Sequence, residues 1–279
     1  MRFLRRLSYR PELSTLARVL GLRLLRSRGM KLYYRLAAPQ GVIQVEVKGV
    51  TAKFYVSSPE ELRELEGAAI GSGADWSERR ILESFIGFLR HGDVVYDVGA
   101  SVGLHSVLLG KAVGDHGQVV AFEPDSRSYR RLQENVRLNG LANVRLFCRA
   151  LGERNGTATF YLGEERSWCS SLVPRSDIRV VAQEFVEVVE GDGYRDLENL
   201  PIPQAIKIDV EGAEHAVLRG LRKTLTENAC RFVCCEVHPE LLSSGETPKE
   251  IMELLRSCGF GRIDVHPRGF ERHVLAYKN

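Results

Sequence analysis

The chain has 279 residues, 44% of them apolar, and 39 Lys and Arg stand against 36 Asp and Glu for a formal net charge of +3. That length and apolar share fit one large α/β domain with an appendage and exclude a disordered or low-complexity chain. The charge is uneven: residues 1 to 35 carry ten Arg or Lys and one acid, Glu12, a net +9 that leaves −6 on the remainder.

The basic front end places Leu13, Leu16, Leu20 and Leu24 near one helical face with Arg18, Arg23, Arg26 and Arg28 around it, which predicts an amphipathic helix. Pro11, Glu12 and Arg18 interrupt it too often for a membrane span, or for the roughly 7 to 15 continuous apolar residues of a secretory signal. Such a helix either attaches peripherally, to anionic lipid at the inner face of the membrane or to an acidic partner, or packs on the main domain with its arginines in water. It has no interleaved aromatic platform, so nucleic acid is not an expected partner. Val42 to Val56 alternates in the β manner around Lys48-Gly49 and predicts a hairpin, as a cover or a homodimer contact. A short helix starts at Ser57-Ser58-Pro59-Glu60-Glu61, and Ser77 to Leu89 reads as a longer one burying Ile81, Leu82, Phe85, Ile86 and Leu89. Residues 1–75 are thus an N-terminal helical and β-hairpin extension, and residues 76–279 the main domain.

From Val94 the pattern alternates: strand Val94 to Val98, a helix from about Leu104, strand Gln118 to Phe122, helix Ser126 to Asn139 and strand Val144 to Cys148. Thr157 to Leu162 and Glu184 to Val189 are further strand candidates around a polar loop at Trp168 to Ser171. Strand Ala205 to Asp209, a helix from Ala213 to about Asn228, strand Arg231 to Val237, helix Thr247 to Cys258, and strands Arg262 to Val265 and Arg272 to Tyr277 complete the series. Such alternation implies parallel strands with right-handed crossovers. The six cysteines, Cys148, Cys169, Cys230, Cys234, Cys235 and Cys258, lack the paired spacing of a zinc site and read as reduced thiols of a cytoplasmic chain.

The most informative segment is Val94 to Gly103, Val-Val-Tyr-Asp-Val-Gly-Ala-Ser-Val-Gly, an apolar strand running into an acid and two glycines, with Phe122-Glu123-Pro124 after the next strand. An α/β sheet holds a nucleoside this way: glycines let the backbone approach the ligand, and an acid at the end of the next strand accepts both ribose hydroxyls. The order Gly99-Ala100-Ser101-Val102-Gly103 lacks the Gly-x-Gly turn that seats a pyrophosphate, and the Asp97 carboxylate would repel one. A carboxylate there suits an ammonium and a sulfonium, so the expected cofactor is S-adenosyl-L-methionine rather than a nicotinamide dinucleotide. Asp97 and the backbone of Gly99, Ala100, Ser101 and Gly103 are expected at its methionine end, Glu123 at its ribose, and Ala150 and Leu151 at its adenine.

Asp97, Glu123, Asp209, Glu211, Glu236 and His238 all fall at carboxyl ends of predicted strands, where open α/β sheets bind their ligands. Carboxylates beside a core need partners or a ligand. Asp97-Val-Gly-Ala-Ser-Val-Gly103, Phe122-Glu-Pro124 with Asn135, Ile206-Lys-Ile-Asp-Val-Glu-Gly-Ala-Glu214 with Val217-Leu218-x-Gly220, and Glu236-Val-His238 together resemble the FkbM family of S-adenosylmethionine-dependent methyltransferases, over roughly residues 76 to 277. Trp76-Ser77-Glu78 resembles the aromatic and Glu element before that family's first core helix, which adds Glu78 to the cofactor-binding candidates. The resemblance implies an α/β, class I (Rossmann-like) methyltransferase fold, with a mostly parallel seven-stranded sheet whose last strand is antiparallel. It also implies methyl transfer to a hydroxyl of a saccharide, glycan or secondary metabolite as the acceptor; a noncatalytic nucleoside-binding or membrane-adaptor protein of the same fold is the alternative. Glu190-Gly191-Asp192 departs from the Thr-Leu-Asp of many relatives, and Ser101 replaces the Asn often found in the glycine turn.

Methyl transfer to a hydroxyl needs the nucleophile about 3 to 3.5 Å from the methyl carbon and a group to take its proton. His238 is the expected base, neutral near pH 7 and oriented by Glu236, although the two also read as a structural pair. Asp209 is expected beside the transferred methyl, and Lys207, on the same face of its strand, either contacts substrate or pairs with an acid. Asp209, Glu236 and His238 offer fewer oxygens than a hard cation takes, so no metal is expected. His105 either closes the pocket or lies on its helix surface, Glu214 favours the dipole of the next helix, and Asn135 and Asn139 fix the helix after the second strand. Trp168 and Ser170 either contact the acceptor or are plain surface.

Overall fold

In this computed structural model the described residues are 38, 40–58, 61–62, 65–67, 78–163, 171–173, 180–242, 245–269 and 271–278. The predicted basic helix, the 75/76 boundary, Trp76, Ser77, Trp168, Cys169 and Ser170 lie outside them. Strands β1 (Val42–Val47) and β2 (Val50–Tyr55) form the predicted hairpin, turning through Lys48 and Gly49 at φ 50° and 80°. Positive φ at both central residues matches the turn to the twist of the strands. Helix α1 (Glu78–Phe88) leads to β3 (Val94–Val98), α2 (Leu104–Val113), β4 (Gln118–Phe122), α3 (Ser126–Leu138) and β5 (Val144–Phe147). There follow β6 (Ala150–Gly152), β7 (Gly156–Gly163), β8 (Val180–Glu190), α4 (Gly191–Leu197), β9 (Ala205–Ile208), α5 (Glu214–Gly220) and α6 (Arg222–Thr226). Strand β10 (Phe232–Val237), α7 (Pro248–Ser257), β11 (Arg262–Arg268) and β12 (Glu271–Tyr277) complete the described chain.

The main sheet has seven strands in the order β11-β12-β10-β9-β3-β4-β5. Strands β10, β9, β3, β4 and β5 are parallel, and β12 runs antiparallel to both neighbours. This is the mostly parallel class I arrangement with its reversed last strand. Inner strands of such a sheet are covered on both faces, and β10 accordingly buries every residue of Phe-Val-Cys-Cys-Glu-Val. One face packs Ile206, Ile208, Cys235 and Val237 against Val217 and Leu218 of α5 and Ile251 and Leu255 of α7. The other packs Val95, Phe232 and Cys234 against Ile81 and Phe85 of α1 and Leu109 of α2. Helix α7 starts as its sequence dictates, with a reciprocal capping box between Thr247 and Glu250 and Pro248 in the first turn.

The hairpin is a cover. Its Val45, Val47 and Phe54 share a core with Leu108 of α2 and with Leu132 and Val136 of α3. Asn135 Oδ1 accepts the Tyr55 N–H at 2.9 Å, while Asn139 both accepts the Lys53 N–H at 2.9 Å and donates to the Lys53 carbonyl at 2.7 Å. These two asparagines satisfy an exposed strand edge, and Asn135 Nδ2 also donates to the Val102 carbonyl at 2.8 Å, tying cover and glycine turn to one helix.

Two elements differ from the sequence reading. The single helix expected from Ala213 to about Asn228 is broken at Leu221 (φ −102°, ψ 16°), giving α5 and the short α6. Asp192 caps the second piece by accepting from the N–H of Lys223 at 2.6 Å and from the N–H and hydroxyl of Thr224 at 2.8 and 2.6 Å, so its role is structural. Ala150 and Leu151 belong to β6 of a separate three-stranded sheet, β6-β8-β7, a strand that the sequence pattern does not predict. Cys230, Cys234, Cys235 and Cys258 are buried and Cys148 is half-buried, all unpaired. Burial pushes the Cys230 thiol up to about 12. Among the described residues no helix is long and apolar enough to cross a membrane.

Candidate cofactor and catalytic site

At the end of β3 the chain turns through Gly99 (φ 80°), Ser101 (φ 49°) and Gly103 (φ 93°) before entering α2. The N–H groups of Gly99 and Ala100 both donate to the Phe122 carbonyl at 3.0 Å, which joins the turn to the end of β4. A Cβ at Gly99 would lie 1.8 Å from the Asp209 carbonyl oxygen, and one at Gly103 would lie 2.5 Å from the Leu132 side chain. The glycines are therefore required by the packing of the turn against the end of β9 and against α3. Protein atoms, rather than the expected ligand, occupy that space.

Beside the turn opens a cleft lined by Val98, Gly99, Ser101, Phe122, Glu123, Pro124, Arg149, Ala150, Leu151, Phe160, Leu172, Asp209, Val210, Glu211 and Ala213. It runs across the carboxyl ends of β3, β4 and β9. Of the predicted cofactor residues, Gly99, Ser101, Glu123, Ala150, Leu151 and Asp209 line it, whereas Asp97, Ala100, Gly103 and Glu78 do not. Glu123 Oε2 accepts the Ser101 N–H at 2.7 Å and Oε1 the Asp125 N–H at 2.8 Å. Each carboxylate oxygen has two acceptor sites, so one on each remains for a hydroxyl pair. Burial pushes the Glu123 carboxyl up to about 7, against the lowering effect of those two N–H groups. At the other side Ala150, Leu151, Phe160 and Leu172 form an apolar wall, next to Arg149, whose guanidinium pairs with Glu187 at 3.0 Å and whose buried Nε has no hydrogen-bond partner among the described residues. Phe160, Leu172 and Arg149 escape the sequence reading because the small sheet, not a motif, brings them there.

Behind the turn lies a buried charge cluster. Asp97 is fully buried; its Oδ2 accepts the Ser106 hydroxyl at 2.5 Å, and its Oδ1 has no hydrogen-bond partner among the described residues. Lys207 stands opposite Asp97 in register, donates to the Gly99 carbonyl at 2.7 Å and lies 3.5 Å from both Asp97 and Asp209. Burial opposes its charge, but Asp209 and Asp97 outweigh that and hold the ammonium well above its ordinary pKa. Lys207 thus pairs with acids and cannot serve as a base. Glu78, at the start of α1, reaches His105 at 3.2 Å and Arg268 at 3.4 Å, so His105 is a buried partner within this cluster and not a surface residue.

His238 follows the end of β10 and is buried. Its Nδ1 lies 2.7 Å from Glu214 Oε1, and its Nε2 lies 3.5 Å from Glu211 and 4.0 Å from Asp209, both of which line the cleft. Glu211, three residues before α5, adopts φ 54°, a backbone conformation uncommon for a residue with a side chain. Glu236 does not orient the ring as expected. It pairs instead with His273 at 3.0 Å and Arg268 at 3.1 Å, because the β10–β12 register sets it opposite His273. Burial works against the Glu236 charge, yet His273 and Arg268 hold its carboxyl below the usual carboxylate range. Glu214, read as a helix-dipole residue, is fully buried and is the acid that holds His238. The expectation of a neutral imidazole at pH 7 is also corrected: burial opposes the charge, but the Glu214 hydrogen bond and the carboxylates of Asp209 and Glu211 lift the His238 pKa to about 10. Ligand atoms of Asp209, Glu211 and His238 lie within 4.8 Å of one another, and so do those of Glu236, His238 and Glu271.

The family model of the Methyltransferase FkbM domain matches residues 97–261. The hexuronic acid methyltransferase AglP of Haloferax volcanii is 28% identical over 217 residues, covering 75% of this chain and 78% of that protein. Methyltransferase 1 of Beauveria bassiana is 26% identical over 144 residues, 46% of this chain and 57% of its own. Among solved structures, an rRNA methylase from Streptococcus thermophilus aligns over 74% of this chain and 99% of that one at 10% identity and a TM-score of 0.46, too distant to inform the site. The family match begins at Asp97, takes in the glycine turn, Glu123, the Asp209 to Glu214 segment and His238, and extends over more than half of the sequence. On that match, and on the sheet order that carries those residues to one edge, the chain belongs to the FkbM family of methyltransferases.

Proposed function

We propose that the protein transfers the methyl group of S-adenosyl-L-methionine to a hydroxyl oxygen of a saccharide, glycan or related metabolite. The observation that carries this reading is one cleft with a diol-accepting carboxylate, Glu123, on one side and Asp209 and Glu211 beside His238 Nε2 on the other. The residues fit the cofactor: Asp97 Oδ1, which has no hydrogen bond among the described residues and only the Lys207 ammonium 3.5 Å away, adds negative charge behind the turn where an ammonium would come, and Glu123 retains acceptors for a ribose. When bound, the cofactor supplies an electrophilic methyl carbon on a positively charged sulfur. Glu123 and the apolar wall of Ala150, Leu151, Phe160 and Leu172 would fix the nucleoside, while the Gly99 to Ser101 turn would face the amino-acid end with the buried Asp97 carboxylate behind it. His238 Nε2, the ring nitrogen turned away from Glu214, accepts the hydroxyl proton. Since the free ring is protonated at neutral pH, activity rises on the alkaline side. Similarity to a hexuronic acid methyltransferase supports a sugar acceptor.

The test is incubation of the purified protein with methyl-labelled S-adenosylmethionine and a panel of uronic acid and neutral hexose glycosides, with the methylated atom located by NMR. An ether at a ring hydroxyl supports the reading. Transfer to nitrogen, or to none of the panel while the cofactor binds, removes the acceptor assignment.

A further inference from the structure

Glu214 is buried in a place where nothing but His238 balances it. It stands in the first turn of α5, is completely removed from solvent, and has no Lys or Arg within ion-pair distance among the described residues. A solvent-facing acid suffices to favour a helix dipole, whereas a buried unpaired carboxylate carries a heavy desolvation penalty. Its Oε1 is shared between the Gly212 N–H at 3.0 Å and His238 Nδ1 at 2.7 Å. The Gly212 contact pins the carboxylate by its own backbone neighbour, so Oε1 meets the ring at one fixed angle.

We infer that Glu214 is a positioning residue: it holds the proton of His238 on Nδ1 and thereby presents Nε2, as a lone pair, toward Asp209, Glu211 and the acceptor. This rests on the proposed methyl transfer to a hydroxyl. A free neutral imidazole chooses between two tautomers, and only the one protonated on Nδ1 has a base on the cleft side. The two carboxylates on the Nε2 side, Asp209 and Glu211, accept hydrogen bonds and would favour a proton there. Glu214 opposes them with the shorter contact. The ring is also faced by Glu236 and Glu271, ligand atoms of which lie within 4.8 Å of its own. Of these five acids only Glu214 touches Nδ1, so its removal has a signature that the loss of any other does not share.

Three measurements on full-length protein test this. Glu214→Ala is expected to lower kcat by about 10²-fold or more while cofactor Kd stays within about threefold of wild type. Glu214→Gln keeps a hydrogen-bond acceptor but removes a charge within 4 to 6 Å, so the rising limb of kcat/KM against pH moves about one unit toward lower pH, with kcat retained to within about tenfold. In two-bond 1H–15N spectra above the ring pKa, wild-type His238 is protonated on Nδ1, and Glu214→Ala shifts the ring to the Nε2–H tautomer. An unmoved pH limb in Glu214→Gln, or an unchanged tautomer in Glu214→Ala, overturns the assignment. If Glu214→Ala does not fold, the glutamine variant decides by its pH limb. The tautomer needs no turnover to read, so a wild-type protein without methyl transfer defeats the proposed function and leaves this inference to the spectra.

Discussion

Replacing Glu123 with glutamine removes a charge that the fold resists. The carboxyl is buried and pushed up to about 7 from an ordinary 4.5, burial outweighing the Asp125 and Ser101 N–H groups. At about 1.36 kcal/mol per tenfold, the folded chain ionises it at an expense of about 3 kcal/mol relative to the unfolded chain. The sign follows: between 4.5 and 7 the folded state keeps a proton that the unfolded state has released, so this group's stabilisation is complete below 4.5 and is lost as pH rises through about 7. Cofactor affinity runs the other way, since ribose hydroxyls donate to the ionised form. It should rise up to about tenfold per pH unit until about 7 and level off above. In Glu123→Gln one amide oxygen replaces two acceptors, and the amide N–H₂ opposes the N–H of Ser101 or Asp125. We predict an affinity loss of about 10²-fold at pH 8, roughly 3 kcal/mol, and loss of the slope that Glu123 causes. The assay is calorimetric titration with S-adenosylhomocysteine from about pH 5.5 to 8.5, with circular dichroism confirming the fold. Burial also pushes Glu271 up to about 7, but it does not line the cleft, so the slope lost in Glu123→Gln is the part that Glu123 causes. A wild-type affinity that does not change with pH, or a variant weakened less than about threefold, refutes the reasoning.

Four further outcomes follow. Lys207→Met leaves Asp97 buried without its counter-ion and should cost about 3 to 5 kcal/mol in urea unfolding; a loss below about 1 kcal/mol contradicts the bridging role. Gly99→Ala combines φ 80° with a Cβ 1.8 Å from a backbone oxygen, and should lose at least about 2 kcal/mol, read as a fall in Tm. Asn135→Ala orphans the Tyr55 N–H and Val102 carbonyl, costs about 1 to 3 kcal/mol, and should speed amide exchange in β2 more than in β10. Because His238 loses its proton only near pH 10, kcat/KM should climb from pH 7 through about 10, and His238→Gln should flatten the climb and lower kcat about 10²- to 10⁴-fold.

The strand and helix series from Val94 to Asp209, the parallel sheet and the strand-end acids were legible because doubly covered strands are written as unbroken apolar runs and their polar residues fall at the ends. Glu123 was readable for the same reason, as the one acid closing β4. The pairing of Glu214 with His238 was not: 24 residues separate them, and the contact exists only because α5 packs beside the end of β10. Glu236 was misassigned because its partner is chosen by the antiparallel register of β12, which no local spacing encodes. Phe160, Leu172 and Arg149 reach the cleft through the second sheet, whose β7–β8 pairing is equally long-range. The break at Leu221 lies inside a continuous helical pattern, and it is tertiary capping by Asp192 that starts the second piece.

A crystal structure of the complex with S-adenosylhomocysteine bears on the central claim most directly. The account predicts both ribose oxygens within about 3.2 Å of the Glu123 carboxylate. It also predicts adenine between Leu151 and Leu172 and the amino group at the Gly99 to Ser101 turn. A nucleoside lodged elsewhere, or a ribose that leaves Glu123 untouched, would contradict it.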